Sequence, residues 1–238
     1  GGKSETIQYE LKKRDAENGN TRIRGVNASD FIYLVMTDRF ANGDLSNDIV
    51  KTYRDTTCDR TDKFSRHGGD LKGVEDKLTY LQDLGVSTVW LTPVNENDMP
   101  RMNEWGNQVA GYHGYWFTDH YQVDKRFGGN DAYKQLCQAA HAKGMKIIQD
   151  AIYNHIGSYH WIAQDPPDAD WLNSSQGKNP PHHREEVFFD PYASEQDKRQ
   201  MLDGWFVPHL PDLNQRNRDV ARFLIQYAIW ATEEYGVD

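Results

Sequence analysis

The sequence is poor in cysteine and has no long apolar run, and both absences restrict what the chain can be. Its two cysteines, Cys58 and Cys137, are too few for the disulfide framework of a small secreted domain, so we expect two free thiols. No apolar segment approaches the roughly 18 residues that a membrane-spanning helix needs. Neither a disulfide-stapled domain nor a transmembrane protein is therefore expected.

Positive charge is also scarce. The chain has 27 Lys and Arg against 36 Asp and Glu, which gives a formal net charge of −9. Proteins that bind nucleic acid or an anionic membrane surface usually carry a basic patch, and no such run is present. We therefore expect no nucleic acid and no membrane among the partners. No signal peptide is recognisable, and the composition fits a periplasmic, an extracellular and a cytoplasmic location equally.

Strand-like apolar runs alternate with segments of helical periodicity. The apolar fraction of 37% supports a packed core. Each helical segment ends at a glycine, namely Gly85, Gly144 or Gly236, and an apolar run follows the first two. Asn130 is the expected N-cap of the second segment. With the run at 31–35, this pattern predicts parallel strands near 31–36, 88–92 and 146–150, covered by helices. The third helix is followed by only two residues, so we expect the chain to be the front part of a longer β/α protein.

Two parallel architectures fit this alternation, an open nucleotide-binding sheet and a (β/α)8 TIM barrel. The first strand leads into Thr37-Asp38-Arg39-Phe40, which lacks the glycine-rich fingerprint of the open sheet. Polar residues follow the predicted strands instead, at Asp38 and at Asp150, Asn154 and His155. In a barrel, the site is built at these carboxyl ends of the strands. The barrel is therefore preferred, and this chain would hold only its first half.

The chain divides into four predicted regions. Residues 1–24 are polar and weakly patterned, as in a linker or lead-in. Residues 25–155 form the first part of the barrel. Residues 156–210 are rich in Pro, Trp, His and Asp, and they are too long for an ordinary connection, so we interpret them as an inserted irregular subdomain after the third strand. Residues 211–238 return to the barrel and end at the fourth strand.

An oxygen-rich loop follows the first strand. Residues 42–48 carry four Asn or Asp side chains in seven positions. Hard cations such as Ca²⁺ bind six to eight oxygens from carboxylates, amides and carbonyls, which flexible loops supply. The alternative is a turn in which Asx side chains bond their own backbone. Composition alone leaves both open.

Two other groups of residues could carry chemistry. Asp150, Asn154 and His155 could serve acid–base catalysis or metal binding, or they could be a hydrogen-bonded network that positions other groups. Residues 111–116 combine glycines with aromatic rings. They could form a platform for a sugar, whose apolar C–H face stacks on an aromatic ring, or an aromatic corner that packs the loop.

The motifs resemble those of the α-amylase superfamily of glycoside hydrolases. Asp150-Ala151-Ile152-Tyr153-Asn154-His155 is similar to its D-x-x-x-N-H segment, and Tyr112-His113-Gly114-Tyr115 to its Y-H-G-Y segment. Leu210-Pro211-Asp212-Leu213-Asn214, preceded by Gly204-Trp205-Phe206, most resembles the cyclomaltodextrinase and neopullulanase branch. Further matches lie at 38–40, 67–70 and 90–94. The resemblance runs from about residue 30 to 238 in order and spacing.

This resemblance implies a (β/α)8 barrel with a domain inserted after the third strand. It also implies retaining hydrolysis or transfer at α-glucosidic bonds of maltooligosaccharides, cyclodextrins or starch-like glucans, so the expected partner is an α-glucan oligosaccharide. Such chemistry needs two carboxyl groups about 5 Å apart. The family places its nucleophile on the fourth strand and its acid on the fifth, both beyond Asp238. The segment alone is therefore expected to be inactive and to require the remainder of the barrel.

The resemblance also assigns roles to residues of this chain. Tyr112 corresponds to the aromatic that stacks on the sugar at the cleavage subsite, and His155 to the histidine that hydrogen-bonds that sugar. Asp150 corresponds to a supporting residue that orients an arginine from the fourth strand. The resemblance favours calcium as cofactor, with these ligands: Asn42, Asp44, Asn47, Asp48, the Gly68 carbonyl and Asp70. A second calcium on Asn154 and Asp212 is left undecided.

Two functions of other classes stay open at this point. One is a non-catalytic glucan-binding or structural module made from part of a barrel. The other is an unrelated metal hydrolase centred on Asp150 and His155, which is disfavoured because no further His or Asp follows at metal-ligand spacing. A homo-oligomer is compatible with either.

Overall fold

The computed structural model describes residue 10 and residues 13–18, 20–173 and 185–238. Parts of the predicted lead-in and of the predicted inserted subdomain therefore lie outside the described residues. Within the described part, Cys58 and Cys137 are both free thiols, as predicted. No helix of that part is both long and apolar enough to cross a bilayer.

A three-stranded parallel sheet organises the described residues. The strands are β1 (Ile32–Val35), β2 (Thr88–Leu91), β3 (Met102–Glu104), β4 (Asn107–Val109) and β5 (Lys146–Gln149). The sheet has the order β1-β2-β5, and β3 pairs with β4 as a separate antiparallel hairpin. All three predicted parallel strands are confirmed. The hairpin was not predicted.

The strands are separated by helices, whose bounds follow. They are α1 (Thr37–Phe40), α2 (Leu71–Asp76), α3 (Leu78–Asp83), α4 (Gly129–Ala142), α5 (Trp161–Gln164), α6 (Glu195–Asp203) and α7 (Arg218–Tyr235). The single helix predicted before Gly85 is divided into α2 and α3 at Lys77. Of the apolar face predicted for it, Val74, Leu78 and Leu81 are buried as expected, whereas Leu84, the C-cap of α3, is 48% exposed.

The start of α4 differs from the sequence-based expectation. Asn130 is not the N-cap, because the helix follows Gly128, whose φ of 101° is in the left-handed region that favours glycine. Asn130 instead fixes the preceding loop. Its Oδ1 accepts a hydrogen bond from Val123 N at 2.7 Å, and its Nδ2 donates to the Tyr121 carbonyl at 3.2 Å.

The end of α7 agrees with the predicted helix–glycine–strand junction. Asn217 caps the start of α7, and Gly236 ends it with a φ of 79°. Two residues later, Asp238 N donates to the Ile147 carbonyl at 2.8 Å. The chain therefore comes alongside β5 immediately after α7.

The main core lies between one face of the sheet and the helices. Val35, Val89, Leu91 and Ile147 are buried there against side chains of α2, α3, α4 and α7. The alternate residues on the sheet are more exposed: Ile32 at 41%, Leu34 at 54% and Trp90 at 38%. Continuously apolar parallel strands are typical of sheets that are covered on both faces. In the described part of this chain, only one face of the sheet has such a layer.

Candidate functional site

Residues that follow β5 meet an aromatic loop that follows the hairpin. The Tyr115 hydroxyl donates to Asp150 Oδ2 at 2.9 Å, and the Tyr115 carbonyl accepts from His155 Nε2 at 3.1 Å. Two of the predicted site residues, Asp150 and His155, are thus tied to one tyrosine. Tyr115 was part of the quoted motif but had no role of its own in the sequence-based prediction.

Burial determines the protonation states of His155 and Tyr115. It lowers the pKa of His155, so the imidazole is neutral at pH 7. Because Nε2 donates to a carbonyl, Nε2 carries the proton and Nδ1 is an acceptor, 3.5 Å from Asn154 Nδ2. Burial, together with the bond to the Asp150 carboxylate, raises the pKa of Tyr115 to about 12, so its hydroxyl keeps its proton. The group offers both donors and acceptors to a hydroxyl-rich ligand.

The ring of Tyr112 is held by the side chain of Arg39. The Arg39 guanidinium lies over its ring at 3.8 Å from the centroid, a cation–π contact. Arg39 is itself fixed, since its Nη2 donates to the Lys63 and Ser65 carbonyls at 3.0 and 2.8 Å. One face of Tyr112 is therefore covered, and a sugar could stack only on the opposite face. Tyr112 is half-buried, which preserves the orientation of the ring.

The aromatic loop packs closely against the end of β2. Gly114 has a φ of 92°, and a Cβ at this position would lie 2.0 Å from the Pro93 carbonyl oxygen. Only glycine fits such an approach. The imidazole of His113 stacks on Tyr115 at 5.6 Å and meets Trp116 edge-on at 4.9 Å. These contacts place Tyr112 and Tyr115 on one rigid loop.

A cavity of about 310 Å³ opens beside His155. Its lining residues are Asn154, His155, Met201, Gly204, Trp205, Phe206 and Asp212. The Phe206 ring lies nearly parallel to the His155 ring, with centroids 6.4 Å apart. Segment 201–206 thus reaches the end of β5. Trp205 and Phe206 were noted in the sequence only as a mark of one branch, because nothing in their spacing indicated contact with His155.

Asp212 forms the polar wall of that cavity. Its Oδ2 accepts from Asn173 Nδ2 at 2.8 Å, and burial raises its pKa to about 6. Asp212 and His155 also form an isolated antiparallel bridge, which joins the late motif to the third-strand motif. The two segments that were quoted as separate motifs are therefore adjacent in space.

The oxygen-rich loop after β1 folds around Asp70. The Asp70 carboxylate accepts from Gly43 N at 3.0 Å, from Asp44 N at 2.8 Å and from Asn47 Nδ2 at 3.3 Å. It also caps α2 through Gly73 N. The Asp44 carboxylate accepts from Ser46 N and Oγ, at 2.9 and 2.6 Å. This last contact is the local Asx turn that was the alternative to a metal site.

Other oxygens of the same loop have the character of cation ligands. Asn42 Oδ1 and Asn47 Oδ1 are buried without a hydrogen-bond partner. Asn42 Nδ2 donates to Asp48 Oδ1 at 2.6 Å, and a Cβ at Gly68 would lie 2.6 Å from that same oxygen. Across the described residues, no three His, Cys, Asp or Glu side chains are grouped to hold a metal. The two unpartnered amide oxygens and the Asp48 carboxylate are oxygen donors of the kind that a hard cation accepts.

Comparisons with known proteins agree on one family. Residues 34–238 match the family model described as alpha amylase, catalytic domain. A beta/alpha-amylase from Paenibacillus polymyxa is 33% identical over 211 residues, which cover 87% of this chain and 16% of that protein. Neopullulanase 2 from Thermoactinomyces vulgaris is 30% identical, with 87% and 32% covered. The crystal structure of an Anoxybacillus alpha-amylase superposes with a TM-score of 0.68 at 34% identity, covering 88% of this chain and 39% of that one.

The chain thus spans about a third or less of the length of these two curated relatives. A neopullulanase is among the relatives, as is a cyclomaltodextrinase at 30% identity, in agreement with the branch that the late motif resembled.

Proposed function

The chain belongs to the α-amylase catalytic-domain family, and we propose on that basis that it is the first part of a (β/α)8 barrel in a retaining glycoside hydrolase. The proposed substrates are α-glucans such as maltooligosaccharides, cyclodextrins or starch-like chains. The observation that carries the proposal is the convergence of Tyr115, Asp150 and His155 beside a cavity with an aromatic wall. Carbohydrate sites combine such rings with groups that hydrogen-bond hydroxyls.

The residues of this chain would bind and orient the sugar. The face of Tyr112 opposite Arg39 would stack on the sugar ring. His155 would accept from a hydroxyl at Nδ1, or share its Nε2 proton between the Tyr115 carbonyl and the sugar. Asp150, which already accepts from Tyr115, has a second carboxylate oxygen for an arginine from a fourth strand. Segment 201–206, within the proposed inserted domain, would close one side of the cleft.

Bond cleavage would come from outside this chain. Retaining hydrolysis requires a nucleophilic carboxylate and an acid/base carboxyl about 5 Å apart. We propose that both lie on later strands of the barrel. The whole protein should therefore cleave α-glucans, and residues 1–238 alone should not.

Activity measurements test this proposal directly. Purified intact protein and the 1–238 segment should be compared on maltooligosaccharides and cyclodextrins. In the intact protein, His155→Ala should lower kcat/KM about tenfold to a hundredfold, because a buried hydrogen bond to the substrate is lost. Tyr153→Phe, on the same loop, is the matched control and should change kcat/KM little.

Two results would contradict parts of the proposal. Turnover by the 1–238 segment would mean that the catalytic carboxyls lie within this chain. An intact protein that retains glucans but cleaves none would instead indicate a non-catalytic glucan-binding module.

We also propose that the loop at 42–48 binds calcium. The amide oxygens of Asn42 and Asn47, the Asp48 carboxylate and the Gly68 carbonyl would hold it. Asp70 was also predicted as a ligand, but we propose that it shapes the loop instead, because its carboxylate already accepts from three backbone N–H groups. When bound, the cation would bring this loop and the 67–70 segment together and stabilise the fold. Asp44 was also predicted as a ligand. Its carboxylate already accepts two hydrogen bonds from Ser46, so a variant must show whether it also binds the cation.

Chelation should reveal the cation. A ligand that binds only the folded state at a hundredfold excess over its Kd adds about 3 kcal/mol of stability, so a chelator should lower the Tm by about 5 °C or more. Asp48→Ala should abolish this response. Asp44→Ala is the matched comparison. If the Asp44 carboxylate serves only the turn, this variant should still show the fall in Tm when the chelator is added. If the chelator does not change the Tm of calcium-loaded wild-type protein, the loop is not a calcium site.

A further inference from the structure

Asn173 is a buried amide that lies outside every motif of the sequence analysis, and all of its polar groups are hydrogen-bonded. Its backbone N donates to the Asp212 carbonyl at 2.9 Å, and its backbone carbonyl accepts from Trp205 Nε1 at 2.8 Å. The side-chain Nδ2 donates to Asp212 Oδ2 at 2.8 Å and to the Leu213 carbonyl at 3.4 Å. The Oδ1 atom accepts from Arg216 Nη2 at 3.2 Å. Asn173 therefore joins three segments that are distant in the sequence.

The backbone that carries Asn173 is fixed by pairing with the late motif. Leu172 and Leu213 form an isolated antiparallel bridge, and Asn214 N donates to the Trp171 carbonyl at 2.9 Å. Trp171 and Leu213 are also buried together in a small apolar core. The amide of Asn173 is thus presented from a paired and packed segment, which keeps its position constant.

Two partners of Asn173 belong to the wall of the cavity beside His155. Trp205 and Asp212 both line this cavity, whereas Asn173 is not among the lining residues. Asp212 is also joined to His155 through their isolated bridge. Asn173 can therefore determine where these side chains lie without contacting a ligand in the cavity.

Only an amide satisfies the groups on both sides of the Asn173 side chain. The Asp212 carboxylate accepts hydrogen bonds, and the Arg216 guanidinium only donates them. An amide offers a donor to the first and an acceptor to the second. A carboxylate in its place would repel Asp212, and an apolar side chain would leave a buried Asp212 oxygen without its donor. Arg216 also donates to Asp203 Oδ1 at 2.5 Å, so the same chain of bonds reaches the end of α6.

We infer that Asn173 is a positioning residue that fixes the Asp212 carboxylate and the Trp205 ring at the wall of the sugar-binding cavity. The inference rests on the proposed function and adds to it the residue that holds this wall. Because the wall contacts the sugar and supplies no reacting group, loss of the Asn173 donor should raise KM more than it lowers kcat.

Asn173→Asp in the intact protein tests the inference, because it keeps the shape of the side chain and replaces the donor by an oxygen. The kcat/KM for maltoheptaose should fall about tenfold, mainly through a higher KM. In an Asp212→Asn background, the new amide can donate to the new carboxylate, so the same substitution should cost less than about twofold. Each cost is a ratio within one background, so any direct effect of Asp212→Asn on the reaction cancels.

Asn27→Asp is the matched control for the added charge. Asn27 is exposed before β1, and its Oδ1 accepts from Ser29 N at 2.9 Å, a bond that a carboxylate can also accept. This variant should change neither KM nor kcat. The Tm of every variant is measured as well. If Asn173→Asp lowers the Tm but leaves KM unchanged, Asn173 serves stability alone and the inference is wrong. Equal costs of Asn173→Asp in the two backgrounds would also overturn it.

The same measurements separate this inference from the proposed function. If the protein cleaves α-glucans and Asn173→Asp has the wild-type KM, the role of Asn173 is wrong and the proposed function stands. If the protein cleaves no α-glucan, the proposed function is wrong. The four variants of the cycle are then compared by their Kd for β-cyclodextrin. Equal costs of Asn173→Asp in that comparison, or no binding by the wild type, would overturn the role of Asn173 too.

Discussion

Arg126→Met should destabilise the folded protein by about 3–5 kcal/mol, which is the usual cost of leaving one member of a buried ion pair alone. Arg126 Nε donates to Asp124 Oδ1 at 2.9 Å and Nη2 donates to Asp124 Oδ2 at 2.8 Å. Nη2 also donates to the Asn97 carbonyl at 2.6 Å. Both side chains are almost completely buried, at 4% and 0% exposure.

The substitution would remove the counter-charge that is hydrogen-bonded to the Asp124 carboxylate and leave only the attraction of the buried Arg66 guanidinium. Burial by itself would raise the pKa of Asp124, but the charge and hydrogen bonds of Arg126, together with the charge of Arg66, reverse this and hold the pKa below its usual range. Without Arg126, the carboxyl must either remain as a poorly compensated buried charge or take up a proton. Either course lowers the free energy of unfolding.

Urea unfolding of the variant measures this loss. The matched control is Arg222→Met, which breaks an exposed pair with Asp219 and should cost at most about 1 kcal/mol. A loss of similar size in both variants would show that the buried pair contributes no more than a surface pair.

Acid should destabilise the protein through a buried pair of histidines. His160 Nδ1 accepts from Ile162 N at 3.1 Å, so the proton of its neutral ring is on Nε2, which lies 2.9 Å from His120 Nδ1. His120 Nε2 then carries a hydrogen, and it is buried without a partner. Phe117, Phe223 and Tyr227 surround the His120 ring at centroid distances of 4.8 to 5.0 Å. Among the described residues, no carboxylate is bonded to either ring to stabilise an imidazolium.

The direction of the pH effect follows from the shifted pKa values. Burial lowers the pKa of His120 to about 3, and burial with repulsion from His120 lowers the pKa of His160 to about 2. The unfolded chain binds these protons near pH 6.5, and the folded chain does not. Stability is therefore complete above pH 6.5 and falls as the pH drops, by about 1.4 kcal/mol per pH unit for each histidine. Between pH 7 and pH 5 the pair should account for about 4 kcal/mol.

Unfolding free energies at pH 7 and pH 5 test this expectation. His160→Gln removes one titrating group, so the variant should lose about 2 kcal/mol less than the wild type over this range. Phe117→Leu disturbs the same cluster without removing a titrating group, and it should keep the full pH dependence. If His160→Gln shows the wild-type loss, the acid sensitivity arises elsewhere.

Local patterns in the sequence predicted the parts of the fold that depend on local physics. Apolar strands and glycine-terminated helices identified β1, β2, β5 and α7, because burial of one face fixes the pattern. The hairpin was missed since Trp105-Gly106 lacks the Asn-Gly signal of its turn. The start of α4 was misplaced because Asn130, a good cap residue, is bonded to Val123 N instead.

Sequence motifs predicted individual residues of the candidate site but not the contacts between distant segments. Asp150, His155 and Tyr112 were found from local sequence, but the contact of Phe206 with His155 joins segments that are fifty residues apart. Other buried polar contacts also join residues that are far apart in the sequence. The Tyr227 hydroxyl, for example, accepts from Asn95 Nδ2 at 2.9 Å across a separation of 132 residues. Such partners are specified by tertiary packing, for which a single sequence has no periodic signal.

The register of the sheet also determines how long each strand remains unpaired during synthesis. Ile32 pairs with Thr88, 56 positions later, and Thr88 pairs with Lys146, 58 positions after that. At about 5–20 residues per second, each strand therefore waits roughly 3–12 s for its neighbour to leave the ribosome. During the first interval, β1 has no partner for its backbone or its apolar side chains. Asp30, which later binds Lys146 at 2.7 Å, places a charge directly before this strand and limits its association with other nascent chains.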